Sequence, residues 1–219
     1  MTSAAKRARP GQALYTRPFL AIYDRVALDG YCRFVWKCPA RRLLELYDQH
    51  VSANHLDIGV GTGYFLDHCR FPTAHPRLAL LDLNRNSLNK SARRLERYEP
   101  EIYHWNVLEL DQLDVEGFDS IALMNLLHCL PGTMKDKKTV FEHVKALLKP
   151  GGLMFGSTLV YRGVKRGLWA RYQLAVNNIL GVMCNKQDDP QGLEQNLRQV
   201  FPKSCVNIVG CEALFWARA

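Results

Sequence analysis

His55-Leu56-Asp57-Ile58-Gly59-Val60-Gly61-Thr62-Gly63-Tyr64-Phe65 carries the strongest structural signal in the chain. A short apolar run passes into three alternating glycines and then into a helix. Glycine has no Cβ, so the backbone can turn sharply there and a ligand can approach the main chain closely. A tight turn alone would also use glycines. Two acids argue for more: Asp57 in the run itself, and Asp82 at the end of the next one, Leu80-Leu81-Asp82-Leu83-Asn84. Asp82 lies roughly twenty residues beyond the glycines, where a carboxylate can bind both hydroxyls of a ribose. The alternative role for Asp82 is the N-cap of a helix around Ser87.

Outward from this stretch, short apolar runs alternate with amphipathic ones, the signature of a parallel sheet with helices on its faces. Strands are expected at His55–Ile58, Leu78–Asp82, Ile102–Val107, Ser120–Asn125 and Leu153–Leu159, with helices at Ser87–Tyr98 and Lys137–Leu148 between them. Lys149-Pro150-Gly151-Gly152 reads as a helix stop and a tight turn into the next strand. Ser204–Val209 and Glu212–Ala217, separated by Gly210-Cys211, should pair as a hairpin. The fold class is therefore α/β: a Rossmann-like, seven-stranded, mostly parallel sheet with an antiparallel last strand, helices on both faces and a small helical cap. Residues 1–10 are expected to be a flexible basic tail and 11–219 a single domain. Within it, 11–50 form an N-terminal cap, 51–160 the core, 161–201 a late helical insert and 203–219 the final hairpin.

The composition agrees. The chain has 219 residues, 47% hydrophobic and 23% charged, enough for one sizeable domain and ordinary for a globular protein. Its net charge of +8 is spread over several short clusters rather than one groove, which argues against nucleic acid as the partner. Seven cysteines form no paired metal pattern and no small disulfide framework, so no metal site is expected and a reducing cytoplasm is the natural location. The basic N-terminus lacks the apolar core of a secretory signal. The longest apolar stretch, Leu168 to Cys184, is interrupted by Arg171, Gln173, Asn177 and Asn178, so no membrane span is expected. A homodimer is left open.

A dinucleotide fingerprint would place its third glycine at position 64, where this chain has Tyr64, which argues against NAD or FAD. Asp57–Gly63 instead resembles motif I of the class I S-adenosylmethionine-dependent methyltransferases. Leu81-Asp82 resembles their acidic motif II, and Leu147–Gly152 the signature that precedes their fifth strand. The resemblance covers about Asn54 to Val160, and a parallel sheet closed by an antiparallel strand is also that family's arrangement. It implies S-adenosylmethionine as cofactor. Gly59, Gly61, Thr62 and Gly63 would then contact the methionine moiety, Asp82 would hold the ribose, Asn106 and Val107 would flank the adenine, and Asn125 and Leu126 would line the methionine end and substrate, with Asp57, Tyr64 and Leu83 as further cofactor-binding candidates. The family often has Asp where Asn106 stands; Asn keeps a donor and an acceptor for the adenine edge. The Asp/Asn-Pro-Pro-Tyr/Phe motif of adenine and amide-nitrogen methyltransferases is absent.

Catalysis is less legible. His128 is a candidate general base, since its ordinary pKa lies near neutrality; the alternative is a partly buried histidine that orders its loop. Tyr23-Asp24, Gly30 and Trp36-Lys37 resemble the entry segment of the ubiquinone/menaquinone C-methyltransferase group, which makes Tyr15 and Tyr23 candidate lid residues, Tyr15 also a cofactor-binding candidate and Tyr23 a second catalytic candidate. They could equally be core aromatics. In the late insert Trp169, Tyr172, Leu174, Leu180 and Met183 suit an apolar substrate site, or simple packing on the core. Arg162, Lys165 and Arg166 suit an anionic group, or a solvated face. The expected reaction is direct in-line methylation of a small, largely apolar or aromatic metabolite, releasing S-adenosylhomocysteine. A protein or RNA methyltransferase and a non-catalytic cofactor-binding protein are the alternatives.

Overall fold

A computed structural model describes Thr16, Pro18, Leu20 and residues 24–219. The expectations for the basic tail, for Tyr15 and for Tyr23 lie outside these residues. Among the described residues the sheet has seven strands in the order β3-β2-β1-β4-β5-β7-β6. They are β1 (Asn54–Ile58), β2 (Arg77–Asp82), β3 (Glu101–His104), β4 (Phe118–Met124), β5 (Leu148–Leu159), β6 (Lys203–Val209) and β7 (Glu212–Arg218). β1 to β5 pair in parallel, and β7 runs antiparallel between β5 and β6. The chain reverses direction on the β1 side of β4, and open α/β sheets bind ligands at such a switch point.

Alternation along the strands builds two cores. On one face Leu56, Leu81, Ile121, Met154 and Phe215 meet helices α4 (Lys138–Leu147) and α6 (Pro190–Val200). On the other, Leu78, Leu80, Ala122, Phe155 and Leu214 meet α1 (Ala40–His50), α2 (Tyr64–His68), α3 (Arg85–Arg94) and α5 (Leu168–Ile179). Phe118, Phe155 and Phe215 are fully buried, and each such ring removed from water contributes about 1.5–3 kcal/mol. A segment with π-helical hydrogen bonding, Asp24–Val35, precedes α1 and packs Leu28 and Cys32 into the second core.

Several boundaries differ from the periodicity. β3 ends at His104, because Asn106 caps a 3-10 turn over Val107–Gln112. The helix expected over 87–98 begins at Arg85 and ends at Arg94, followed by a 3-10 turn at Glu96–Tyr98. Lys149–Gly152 is not a turn before β5 but a bulge within it: Phe118 opposes Leu148, Ser120 already opposes Leu153, and Gly151 takes φ 75°. The late insert also divides. α5 packs Ala170 and Leu174 beside the entry segment, whereas α6 covers the opposite face through Leu193 and Leu197. No helix among the described residues is long and apolar enough to cross a membrane.

Candidate functional site

The β1–α2 loop is built by left-handed backbone at Gly59, Gly61 and Gly63, with φ of 79°, 54° and 72°. Other residues enter that region only at a cost. Space reinforces it at two of them. A Cβ on Gly59 would stand 3.0 Å from Leu126 Cδ1, and one on Gly63 would stand 3.0 Å from Ser91 Cβ on α3. Gly63 thus does for helix packing here what a glycine at 64 would do in a dinucleotide site, and Tyr64 is free to open α2 and stack on His68. The loop is tied at both ends, by Gly59 N–H to Leu81 O at 2.8 Å and Gly63 N–H to Val60 O at 2.9 Å.

Two lobes open along this loop. The first is lined by Gly59, Gly61, Asp82, Leu83, Asn106, Val107, Asn125 and Leu126, with Trp105, Met124, Cys129 and Leu130 on its apolar wall. The second is lined by Tyr47, Asp57, Gly59, Gly61, Thr62, Gly63, Tyr64 and Asn125. Every described residue expected around the cofactor lines one lobe or both, and Gly59, Gly61, Met124 and Asn125 are shared.

Asp82 is half-buried, and its Oδ1 accepts from the backbone N–H of Asn84 at 2.7 Å. Burial raises its carboxyl from the ordinary 3.8 to about 6, against the opposing pull of the Asn84, Gly61 and Leu83 N–H groups. The cap of α3 is Asn84, whose side chain accepts from Asn86 N and Ser87 N. The capping role that competed for Asp82 in the sequence is therefore filled by another residue. Asn106 is buried; its Oδ1 accepts from Leu108 N–H at 3.1 Å, while Nδ2 has no partner among the described residues. A buried donor without an acceptor costs free energy unless something that binds there supplies one.

Asp57 is also buried and accepts a hydrogen bond from the Tyr47 hydroxyl of α1, whose ring stacks on Phe65 at 5.5 Å. The entry segment is tied to the same loop. Thr62 Oγ1 donates to Asp24 Oδ1 at 2.6 Å, and Arg94 of α3 reaches Asp24 Oδ2 at 2.6 Å and Thr62 Oγ1 at 3.2 Å. Tyr47 and Arg94 escaped the sequence reading because each belongs to a helix with no motif of its own. Only the packing of α1 and α3 against the loop brings them in.

His128 lines neither lobe. It is 4% exposed, and its Nδ1 accepts from Leu159 N–H at 3.2 Å. Burial, with Lys137 nearby, lowers its pKa from 6.5 to about 3. The insert residues do not assemble into a pocket with the loop either. Trp169, Tyr172 and Leu180 are exposed, Leu174 is fully buried, and Arg166 lies over the Tyr161 ring at 4.3 Å.

A family model described as a methyltransferase domain matches residues 56–154. Over 207 residues the chain is 39% identical to the demethylluteothin O-methyltransferase of Streptomyces thioluteus, covering 94% of this chain and 90% of that protein. The chain belongs to the class I S-adenosylmethionine-dependent methyltransferases. Its cofactor is S-adenosylmethionine. The methyltransferase is also 36% identical over 209 residues to the physcion biosynthesis cluster O-methyltransferase of Aspergillus chevalieri, covering 94% of each chain. Its fold matches that of the DhpI–SAH complex with a TM-score of 0.69 at 15% identity, over 100% of this chain and 98% of that one.

The residues present fit that cofactor. The first lobe of the methyltransferase offers the Asp82 carboxylate, able to accept from hydroxyls such as a ribose carries, and the Asn106 amide, without a partner among the described residues and able to donate to a ring nitrogen. The second lobe carries the Asp57 carboxylate, suited to an ammonium group.

Proposed function

We propose that this methyltransferase transfers the methyl group to a hydroxyl of a small, largely apolar or aromatic metabolite. The observation that carries the reading is the apolar wall that the first lobe keeps beside the groups proposed for the nucleoside. Met124, Leu126, Leu130 and Trp105 are apolar, Cys129 is the one thiol, and no histidine or lysine lines either lobe among the described residues. Burial raises the Cys129 thiol to about 12, so it stays neutral. Such a wall orients an apolar acceptor and excludes water. The printed activities of the two curated relatives, both O-methyltransferases, point the same way.

S-adenosylmethionine, when bound, supplies a methyl on an activated sulfonium for direct in-line displacement and leaves as S-adenosylhomocysteine. The chain's own residues then orient. Asp82, with Leu83 beside it, accepts from the ribose hydroxyls; Asn106 Nδ2 donates to the adenine ring, which Val107 packs against. Asp57 and the Gly59–Gly63 loop, with Thr62 and Tyr64, hold the methionine moiety, and Asn125 and Leu126 face the point where the two lobes meet. With no base on the described wall, the acceptor is one whose hydroxyl loses its proton readily, a phenol or an enol, and the proton passes to solvent. Holding reactants in line is itself a large share of catalysis.

The test is incubation with methyl-labelled S-adenosylmethionine and separate panels of phenols and enolic heterocycles, aliphatic alcohols, amines, RNA and peptides. Label is expected on the phenols or enols. Label confined to RNA, peptides or amines would sink the reading, and S-adenosylmethionine binding without transfer to anything would favour a non-catalytic binder.

His128 in this reading is a positioning residue, because a buried imidazole with a pKa of about 3 is a poor base. Its lowered pKa means that the folded state prefers the neutral ring. The resulting stability is complete above the ordinary pKa of 6.5 and is lost as pH falls from there towards 3. His128→Ala is expected to lower the unfolding free energy by about 1 kcal/mol or more, read from urea denaturation, since it leaves the Leu159 N–H without its acceptor. The same variant should keep the shape of the wild-type pH–rate profile between about pH 6 and 9. Loss of an ionisation from that profile would restore His128 as a base.

A further inference from the structure

Behind the point where the two lobes meet lies a carboxylate that the site described above does not use. Glu212, the first residue of β7, has no exposed surface, and among the described residues no cation pairs with it. A buried acid without a counter-charge is expensive and needs hydrogen bonds to its charged form. Those come from the site itself. With its amide nitrogen turned inward, Asn125 donates to Glu212 Oε1 at 3.0 Å, to Oε2 at 3.2 Å and to Ser157 Oγ at 3.1 Å. Turned the other way, its oxygen accepts from Ser157 Oγ at 3.1 Å and faces the Glu212 carboxyl, which can donate only when protonated. Each orientation of the amide thus belongs to one protonation state of the acid.

Asn125 has little freedom otherwise. Its N–H bonds Ser157 O at 2.9 Å, and its φ of 53° places it in the left-handed region, which non-glycine residues occupy at a cost and mostly where structure demands it. It lines both lobes. We propose that Glu212 is a positioning residue of the transfer site, its protonation state choosing which end of the Asn125 amide turns inward and which is presented away from the buried network.

The link to transfer rests on reading the two lobes as the S-adenosylmethionine site; the coupling between Glu212 and Asn125 does not. Burial moves the Glu212 carboxyl up from 4.5 to about 7, with Ser157 opposing. The titratable groups facing it are the thiols of Cys38, before α1, and Cys211, in the β6–β7 turn. Both are pushed up by burial, Cys38 to about 12, so both are neutral and add no competing charge near neutrality. Ser157 on β5 faces Glu212 as a hydroxyl that does not titrate. The acceptor-bearing form of the network therefore prevails above neutral pH and the donor-bearing form below it.

The experiment is a pH titration of the Asn125 side-chain amide by nitrogen-15 NMR in the ligand-free protein, the signal being assigned by its loss in Asn125→Asp. The wild-type signal is expected to move with one ionisation near neutrality and to stop moving in Glu212→Gln. Ser157→Ala should raise the midpoint, because it removes a hydrogen bond to the charged form. A flat wild-type signal, or one still titrating in Glu212→Gln, would overturn the coupling; if Glu212→Gln does not fold, an unmoved midpoint in Ser157→Ala overturns it. The titration is then repeated with saturating S-adenosylhomocysteine, whose binding is measured separately by calorimetry. A shifted midpoint is expected, and an unchanged one would reduce Glu212 to a structural acid. Failure of S-adenosylhomocysteine to bind would count against the reading of the lobes and leave the ligand-free titration to decide the coupling.

Discussion

Lys137→Met is expected to destabilise the fold by about 3–5 kcal/mol, the scale set when one partner of a buried ion pair is removed. Lys137 and Asp188 are both fully buried, with Nζ 2.5 Å from Asp188 Oδ2 and 3.0 Å from Cys184 O. The pair fastens the late insert to the turn before α4. The Asp188 carbonyl accepts from the N–H groups of Tyr161 and Arg162 at 3.0 Å, and Cys184 N–H bonds His128 O at 2.7 Å. Without the ammonium, Asp188 is a buried charge whose second oxygen, Oδ1, already lacks a partner among the described residues. Burial raises the Asp188 carboxyl even with Lys137 present to lower it. The deficit of the variant should therefore shrink as pH falls and the orphaned acid takes up a proton. Lys137→Met combined with Asp188→Leu should recover most of the loss, because an apolar pair of similar volume replaces an ion pair whose desolvation was costly. Urea denaturation of wild type and the two variants across pH decides it: equal midpoints in wild type and Lys137→Met would show that the pair contributes nothing.

The second large effect falls on binding. Asp82→Ala is expected to weaken S-adenosylhomocysteine by about 1–3 kcal/mol, roughly 5- to 150-fold, since the ribose hydroxyls lose a half-buried acceptor. The pH dependence has a definite sign. The ionised carboxylate is the acceptor for two hydroxyls, and in the ligand-free protein it is protonated below about 6. Affinity should be level above about pH 7 and fall as pH drops through 6, and Asp82→Asn should abolish that acid fall. Calorimetry from pH 5 to pH 8 measures both. An Asp82→Ala variant with wild-type affinity would remove this residue from the site.

Much of this site was written locally. The alternation of β2, with Leu78 and Leu80 on one face and Ala79 and Leu81 on the other, follows from the two-residue repeat of a strand and is visible in any apolar run. The Gly59–Gly63 loop is equally local, since left-handed backbone is a property of the residue that occupies it. Asp82 could be found by counting from that loop. The bulge at Lys149–Gly152 could not, because proline and glycine announce an irregularity without saying whether a neighbouring strand will pair across it.

What chemistry each group can perform was decided at a distance. Whether Asp82 caps a helix or faces a pocket turned on Asn84, two residues along, taking the cap. His128 has the pKa of a base in water and loses it where β5 and the insert close around it. Tyr47 meets Asp57 only because α1 packs beside the glycine loop, and Glu212, 87 positions beyond Asn125, reaches it only because β7 inserts between β5 and β6. Local sequence dictates backbone conformation through sterics that act over a few residues. Burial, hydrogen-bond partnership and proton affinity depend on the dielectric and the charges that the whole fold gathers around a side chain. The glycine loop and the acid proposed to hold the cofactor could therefore be read along the chain, and the groups able to hold or move a proton could be read only in three dimensions.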